Sequence, residues 1–166
     1  LVGVAVFQMP IDRINAIMTS NQSWGDVGLG ESGETYIVGE DFRMRNQSRF
    51  LIEDSESYFA AIQVSGAPPD TVKRIKAFNS TVGLQRVETK GTIAALSGQT
   101  GTEIFPDYRN VPVLSAYRPL HIQGMRWALM SEIDASEAFA SVEALKMRML
   151  ILLGILLASI IGISFV

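Results

Sequence analysis

The strongest constraint on this chain is an uncharged apolar run near its C-terminal end. Residues 149–166 contain no Asp, Glu, Lys or Arg, and their most polar side chains are Ser159 and Ser164. A membrane-spanning helix needs about 20 such residues to cross about 30 Å of hydrocarbon. The run therefore predicts a transmembrane helix at 149–166, cut short where the fragment ends. A buried core helix is the alternative.

The 148 residues before this run have the composition of one globular domain, and they carry all 14 Lys and Arg and all 17 Asp and Glu. The net charge of −3 argues against nucleic-acid binding, which draws most of its affinity from Lys and Arg contacts to phosphate. The chain has no cysteine, which excludes a disulfide scaffold, a thiol nucleophile and a cysteine zinc site.

Hydrophobic periodicity and turn residues divide this domain into short strands and helices. Strands are predicted at 1–7, 34–39, 101–106, 111–120 and 127–133, and helices at 11–20, 54–65, 69–78 and 87–96. Residues 44–50 are either irregular or a short strand. Short loops join the last three strands, so these strands pair in antiparallel fashion. The order of elements indicates an α+β fold, in which helices pack on an antiparallel sheet.

A helix is predicted to leave the domain and continue into the apolar run. Asp134 is a candidate N-cap, with Glu137 three residues later as in a capping box, and neither Pro nor Gly follows until Gly154. We therefore expect one continuous helix from 134–148 into 149–166, about 45 Å long at 1.5 Å per residue. Such a rod could carry a displacement from domain to membrane; a simple anchor is the alternative.

Motifs for catalysis or cofactor binding are weak. Gly28, Gly30 and Gly33 fit the spacing G-x-G-x-x-G, but a dinucleotide site needs a strand before the motif and a helix after it. Here a helix precedes and a strand follows, which indicates a turn. His121 is the only histidine, lies at a strand end and has no adjacent nucleophile. We therefore expect no catalytic residue, metal or cofactor, and any activity would belong to another domain.

Polar and aromatic residues on or near the strands are candidates for a small-molecule pocket, which combines apolar walls with a few converging polar groups. Arginine forks suit carboxylates and an aspartate could meet an amine, so an amino acid or organic acid fits this inventory. The alternative is that these residues pack the sheet and pair with each other. The candidate ligand-binding residues are Tyr36, Arg45, Arg49, Asp107, Tyr108, Ser115 and Tyr117.

Several separated segments resemble extracellular Cache sensor domains of the double-Cache type. They read GLGESGETYIVGEDFRMRNQSRF at 28–50, DYRNVPVLSAYRPL at 107–120 and WALMSEIDASEAFASV at 127–142, after a similar opening, GVAVFQMPIDRINAIM. The likeness covers about residues 2–145. Asn46-Gln47 and Asp41-Phe42 depart from the Ser-Asp and Asp-Gly that are usual in the family, and 51–85 is a helical insertion.

The resemblance implies a PAS-like antiparallel sheet of about five strands and a C-terminal transmembrane helix. The chain would then divide into a sensor domain at 1–133, an exit helix at 134–148 and a transmembrane helix at 149–166. The domain would lie in the periplasm, on a receptor of the bacterial inner membrane. It would be the membrane-proximal module, whereas the lost distal module is the more usual ligand site of the family.

The function that follows is an extracytoplasmic sensory domain. It would relay small-molecule sensing to a cytoplasmic cyclase, phosphatase, histidine kinase or chemotaxis module. We expect the receptor to be a homodimer. A ligand-free spacer that transmits signals and mediates dimerisation is the alternative.

Overall fold

The computed structural model describes residues 11–164, apart from the side chains of residues 161, 162 and 164. The strand predicted at 1–7 and the last two positions of the predicted transmembrane helix lie outside the described residues.

A four-stranded antiparallel sheet lies at the centre of the domain, in the order β1-β4-β3-β2. The strands are β1 Glu34–Gly39, β2 Gly101–Pro106, β3 Pro112–Ile122 and β4 Met125–Asp134. Strands β3 and β4 form a hairpin that turns at Gly124, whose φ of +78° suits a residue without a Cβ. The predicted α+β class and antiparallel pairing are confirmed.

The described sheet has four strands. The fifth predicted strand, at 1–7, lies outside the described residues, so the expectation of about five strands stays a prediction. At the outer edge of β1, Met44 forms one isolated bridge with Val38, and Arg43 forms another with Arg86. Between these positions and β1, Phe42 has a φ of +58°. The tight turn lets the chain run beside β1 for too few residues to form a strand.

Seven α-helices and one 3₁₀ turn at Ser20–Gln22 complete the described fold. Pro68 and Pro69 start α4, and Asn79 ends it in a left-handed conformation, so its predicted bounds are confirmed. Helix α2 occupies part of the segment predicted as irregular. The helices are α1 Ile11–Met18, α2 Arg49–Glu53, α3 Ser55–Val64, α4 Pro69–Phe78, α5 Lys90–Leu96, α6 Ala135–Ala138 and α7 Ala140–Ser164.

One face of the sheet forms the core. Tyr36 and Val38 of β1 and Met130 of β4 are fully buried, and they join Ile62 of α3 and Ile75 of α4 in one hydrophobic cluster. Burial of apolar surface of this kind stabilises a fold by roughly 25 cal/mol for each Å². The packed face therefore fixes which polar side chains of the strands point into the interior.

The predicted continuous exit helix is interrupted. Phe139, with φ −105° and ψ 6°, separates α6 from α7. Backbone hydrogen bonds still continue across the break, because the N–H of Phe139 donates to Ala135 and the N–H of Glu143 donates to Phe139. The Asp134 side chain makes no cap hydrogen bond to the helix, so the predicted capping box with Glu137 is wrong.

The predicted transmembrane helix is not supported. Arg148 is the last charged residue of α7, which ends at Ser164. Within residues 11–164, no helix combines the length and apolar character required to cross a membrane.

Candidate functional site

Two glutamates face each other in the interior of the domain. Glu34 begins β1 and lies directly opposite Glu132 of β4 in the antiparallel register. Their side chains are buried, with 2% and 5% of the residue surface exposed. Like charges directly opposite each other across two strands are destabilising. We call Glu34 and Glu132 the glutamate pair.

Glu34 is held by neutral donors from two neighbouring segments. Its Oε2 accepts the Tyr108 hydroxyl at 2.8 Å, and its Oε1 accepts the backbone N–H of Arg49 at 2.6 Å. The Tyr108 hydroxyl also lies 2.8 Å from Ser48 Oγ. The turn between β2 and β3 and the start of α2 therefore meet at one carboxylate.

Glu132 is held by two hydroxyl groups from the adjacent strands. The Tyr36 hydroxyl donates to Oε2 at 2.7 Å, and Ser115 Oγ donates to Oε1 at 2.8 Å. The rings of Tyr36 and Tyr108 pack edge to face with centroids 6.0 Å apart. Glu34 and Glu132 are thus connected by the edge-to-face contact of Tyr36 and Tyr108 as well as by strand pairing.

Burial dominates the electrostatics of the pair. It raises the pKa of Glu34 to about 7, although hydrogen bonds from Tyr108 and Ser48 oppose the shift. It also raises the pKa of Glu132 to about 7, against the hydrogen bonds from Tyr36 and Ser115. Neither glutamate belongs to any salt bridge found among the described residues.

Arg109 connects the interior to the start of α6. Its Nε donates to Asp107 Oδ2 at 2.5 Å, and its second guanidinium nitrogen donates to Asp134 Oδ1 at 2.6 Å. The guanidinium lies 3.6 Å from the centroid of the Phe50 ring. Burial raises the pKa of Asp107, and the charge of Arg109 opposes that shift. Asp134 thus binds Arg109 in place of capping the helix.

Glu137 of α6 binds the glycine-rich loop, residues 28–33, that precedes β1. Its two carboxylate oxygens accept the backbone N–H groups of Glu31 and Ser32, each at 2.8 Å, and Oε2 also accepts the Ser32 hydroxyl. Ser32 Oγ accepts the N–H of Asp134 at 3.0 Å. These bonds lower the pKa of Glu137. We call Ser32, Arg109, Asp134 and Glu137 the α6 clamp.

The same loop is tied to α2 by Arg49. One guanidinium nitrogen donates to the carbonyl oxygen of Gly33 at 2.7 Å, and Nε donates to Glu53 at 2.9 Å. The guanidinium also lies 4.9 Å from the centroid of the Trp24 ring. The loop is preceded by a helix and followed by β1, as the sequence predicted, and two of its N–H groups bind the chain's own carboxylate.

Five of the predicted ligand-binding residues lie in or next to these two groups. They are Tyr36, Arg49, Asp107, Tyr108 and Ser115, and each contacts other parts of the chain. Arg45 lies apart and pairs with Asp41 at 2.6 Å. Tyr117 also lies apart, with its ring 6.3 Å from that of Phe105.

Sequence reasoning missed both members of the glutamate pair. Glu132 alternates in phase with the buried Ala128 and Met130, and Glu34 alternates in phase with the buried Tyr36. That shared phase was the available signal, because alternate residues of a strand face the same side. The direct opposition of the two glutamates is a long-range pairing that no local pattern encodes.

Neither member of the glutamate pair lines the clefts that reach Tyr108. One cleft of about 270 Å³ is also lined by Arg43 and Arg86, and another of about 540 Å³ is also lined by Asp107. A further cleft of about 630 Å³ lies by the β3–β4 hairpin and includes the exposed His121. No group of three metal-ligating side chains occurs among residues 11–164 as described.

The arrangement therefore places two buried carboxyl groups with raised pKa values next to the contacts that hold α6. Comparison of the chain with known proteins gives no match to a family model and no match among curated sequences.

Proposed function

We propose that the chain is an extracytoplasmic sensory domain of a bacterial membrane receptor, which relays a stimulus through α6 and α7 to a cytoplasmic output module. The observation that carries this proposal is the connection of the domain interior to the α6 clamp through two strand ends and Arg109. A sensory domain needs a path of this kind, because a change inside it must alter the position of the helix that leaves it.

Each strand of the glutamate pair leads into the clamp within two residues. Glu34 follows Ser32 by two positions, and Glu132 precedes Asp134 by two. Arg109 adds a third route, because it follows Tyr108 and binds Asp134 at 2.6 Å. A small rearrangement of either strand end therefore changes the contacts that hold α6.

Helix α7 extends the path away from the domain. Its 25 residues correspond to about 37 Å at 1.5 Å per residue. Transmission needs two states of the domain with different affinities for the stimulus, so that binding shifts the population between them. The brief interruption at Phe139 separates the clamped α6 from α7, and it would serve as the point where the direction of the helix changes.

The membrane part of the proposal is supported by the surface of α7. Leu150, Leu152 and Ile155 each leave more than half of their surface exposed. Contiguous apolar surface of this kind needs a nonpolar environment, and the proposal assigns that environment to the receptor's membrane.

A second candidate function is the spacer that transmits signals without binding a ligand of its own. It is favoured by one observation: the predicted ligand-binding residues are engaged with other parts of the chain. A thermal-shift screen with amino acids and organic acids separates the two. A compound that raises the melting temperature of the chain supports a local ligand site, and a screen without such a compound favours the spacer.

The relay is tested by opening the clamp. The chain is fused after residue 166 to a reporter histidine kinase that supplies its own membrane-spanning helices, and Glu137→Ala is compared with Glu143→Ala. Glu143 is an exposed residue of α7 whose nearest ionic partner is Lys146, at 3.4 Å. We expect Glu137→Ala to change basal kinase output several-fold, whereas Glu143→Ala leaves it unchanged. Equal output from both variants, with the domain folded by circular dichroism, would contradict the relay.

A further inference from the structure

The interior around the glutamate pair holds three buried carboxyl groups, and the nearby arginines form no salt bridge with either member of the pair. Glu34, Glu132 and Asp107 are all buried, and the two nearby arginines already bind other carboxylates. Arg49 binds Glu53, and Arg109 binds Asp107 and Asp134. The charged and titratable groups that face the pair from the packed elements are Tyr36, Arg49, Tyr58, Asp107, Tyr108 and Arg109.

The geometry of the pair makes ionisation of both members unfavourable. The two residues are direct partners across β1 and β4, and their four nearest donors are three hydroxyl groups and one backbone N–H. Two carboxylates that share a buried site do not both ionise readily, because each charge disfavours the other and burial disfavours both. Protons bound to the pair remove this repulsion.

We propose that the glutamate pair is a proton-responsive switch for α6: when both carboxylates are ionised, β1 and β4 separate at the end where the α6 clamp is bound. This inference rests on the proposed function, since it names the proton as a stimulus of the same relay. A shift of Glu34 moves Ser32, which binds Glu137, and a shift of Glu132 moves Asp134. The helix is thereby released from the glycine-rich loop at high pH and held at low pH.

The experiment measures the position of α7 against the domain. The natural chain has no cysteine, so spin labels can be placed on Gln99→Cys and Ser141→Cys, both at exposed positions. Distances between the labels are measured by pulsed electron resonance at about pH 5.5 and about pH 8.5, on either side of the pKa of about 7 of both glutamates. We expect two distance distributions that interconvert with a midpoint near pH 7.

Neutral variants identify the responsible groups. Glu34→Gln and Glu132→Gln each remove one charge at nearly constant size, so each should keep the low-pH distribution throughout the titration. Glu56→Gln, at an exposed position on α3, should titrate like the unsubstituted chain. A normal pH response in both interior variants would overturn the proposal.

A second measurement does not depend on the folding of those variants. The infrared carbonyl band of protonated carboxyl groups is followed in the unsubstituted chain over the same pH range. A band that disappears near pH 7 together with the change in distance supports the switch. Disappearance of the band with an unchanged distance would refute the coupling to α6.

The outcome is distinguishable from failure of the proposed function. If the distance responds to pH but the reporter kinase ignores Glu137→Ala, the switch exists and the relay is wrong. If the kinase responds to Glu137→Ala but the distance does not respond to pH, the relay stands and the proton switch is wrong.

Discussion

At the residue scale, the Tyr108 hydroxyl donates a hydrogen bond to Glu34 and is also hydrogen-bonded to Ser48. Tyr108→Phe removes a donor to the glutamate pair and leaves Glu34 Oε2 without this partner. A buried group that loses its partner costs about 1–3 kcal/mol. The donor stabilises the ionised form of Glu34, so we expect a larger loss of unfolding free energy at about pH 8.5 than at about pH 5.5. Urea denaturation at the two pH values measures the difference.

Tyr58 offers a matched control for this substitution. It is also buried, and its hydroxyl donates to the neutral side-chain oxygen of Gln85 at 2.7 Å. Tyr58→Phe should therefore destabilise the chain similarly at both pH values. The same pH-independent loss in Tyr108→Phe would show that the hydroxyl does not support a titrating carboxylate.

The strand residues that face the interior were partly predictable from alternation alone. Alternation along β3 predicts one face for Val113 and Ser115, and both are fully buried. Along β4 the more conspicuous apolar residues are Trp127 and Leu129, but Ala128 and Met130 form the buried face. A tryptophan is a conspicuous apolar residue, but its large side chain here lies partly exposed, and the small Ala128 takes the core position.

At the element scale, the bounds that sequence predicted best are those set by backbone restrictions. The predicted ranges of β1, β2 and α4 agree with the structure, because glycine or proline stands at an end of each. The hairpin strands β3 and β4 run further toward Gly124 than predicted, since pairing with each other stabilises residues that have no strand pattern of their own. The capping box predicted for Glu137 is wrong because its carboxylate binds Ser32 and Glu31, which lie 105 and 106 positions away in the sequence.

The glycine-rich loop gives an element-scale prediction about the clamp. A Cβ added to Gly30 would collide with the carboxylate of Glu137. Gly30→Ala should therefore detach Glu137 and increase hydrogen exchange at the amides of Glu31 and Ser32. Gly28→Ala is the control, because Gly28 also has a positive φ but its added Cβ meets no atom within 4 Å. Equal protection of the two amides in both variants would contradict the clamp.

At the scale of the whole molecule, the interior carboxylates give stability an unusual dependence on pH. Burial raises the pKa values of Glu34 and Glu132 in the folded chain to about 7, from an ordinary value of 4.5. Between these values the folded chain binds more protons than the unfolded chain. Their contribution is therefore fully present below about pH 4.5 and is lost as pH rises through about 7.

Other carboxylates act in the opposite direction at lower pH. Hydrogen bonds from Ser32 and Glu31 lower the pKa of Glu137, and a hydrogen bond from Ser57 lowers that of Asp54. The stability they contribute is present above their ordinary pKa values and is lost as pH falls through the lowered ones. Stability of the chain should consequently be greatest near pH 5 and decrease on both sides.

The upper arm of this curve tests the glutamate pair. Between about pH 5 and about pH 7, the unfolding free energy should fall with a slope approaching about 1.4 kcal/mol per pH unit for each extra proton bound by the folded chain. Urea titrations followed by tryptophan fluorescence measure it, since Trp24 is buried. The double variant Glu34→Gln/Glu132→Gln should flatten this arm and leave the acid arm in place. A slope that persists in the double variant would mean that other groups take up the protons, and the interior pair would then not be the origin of the upper arm.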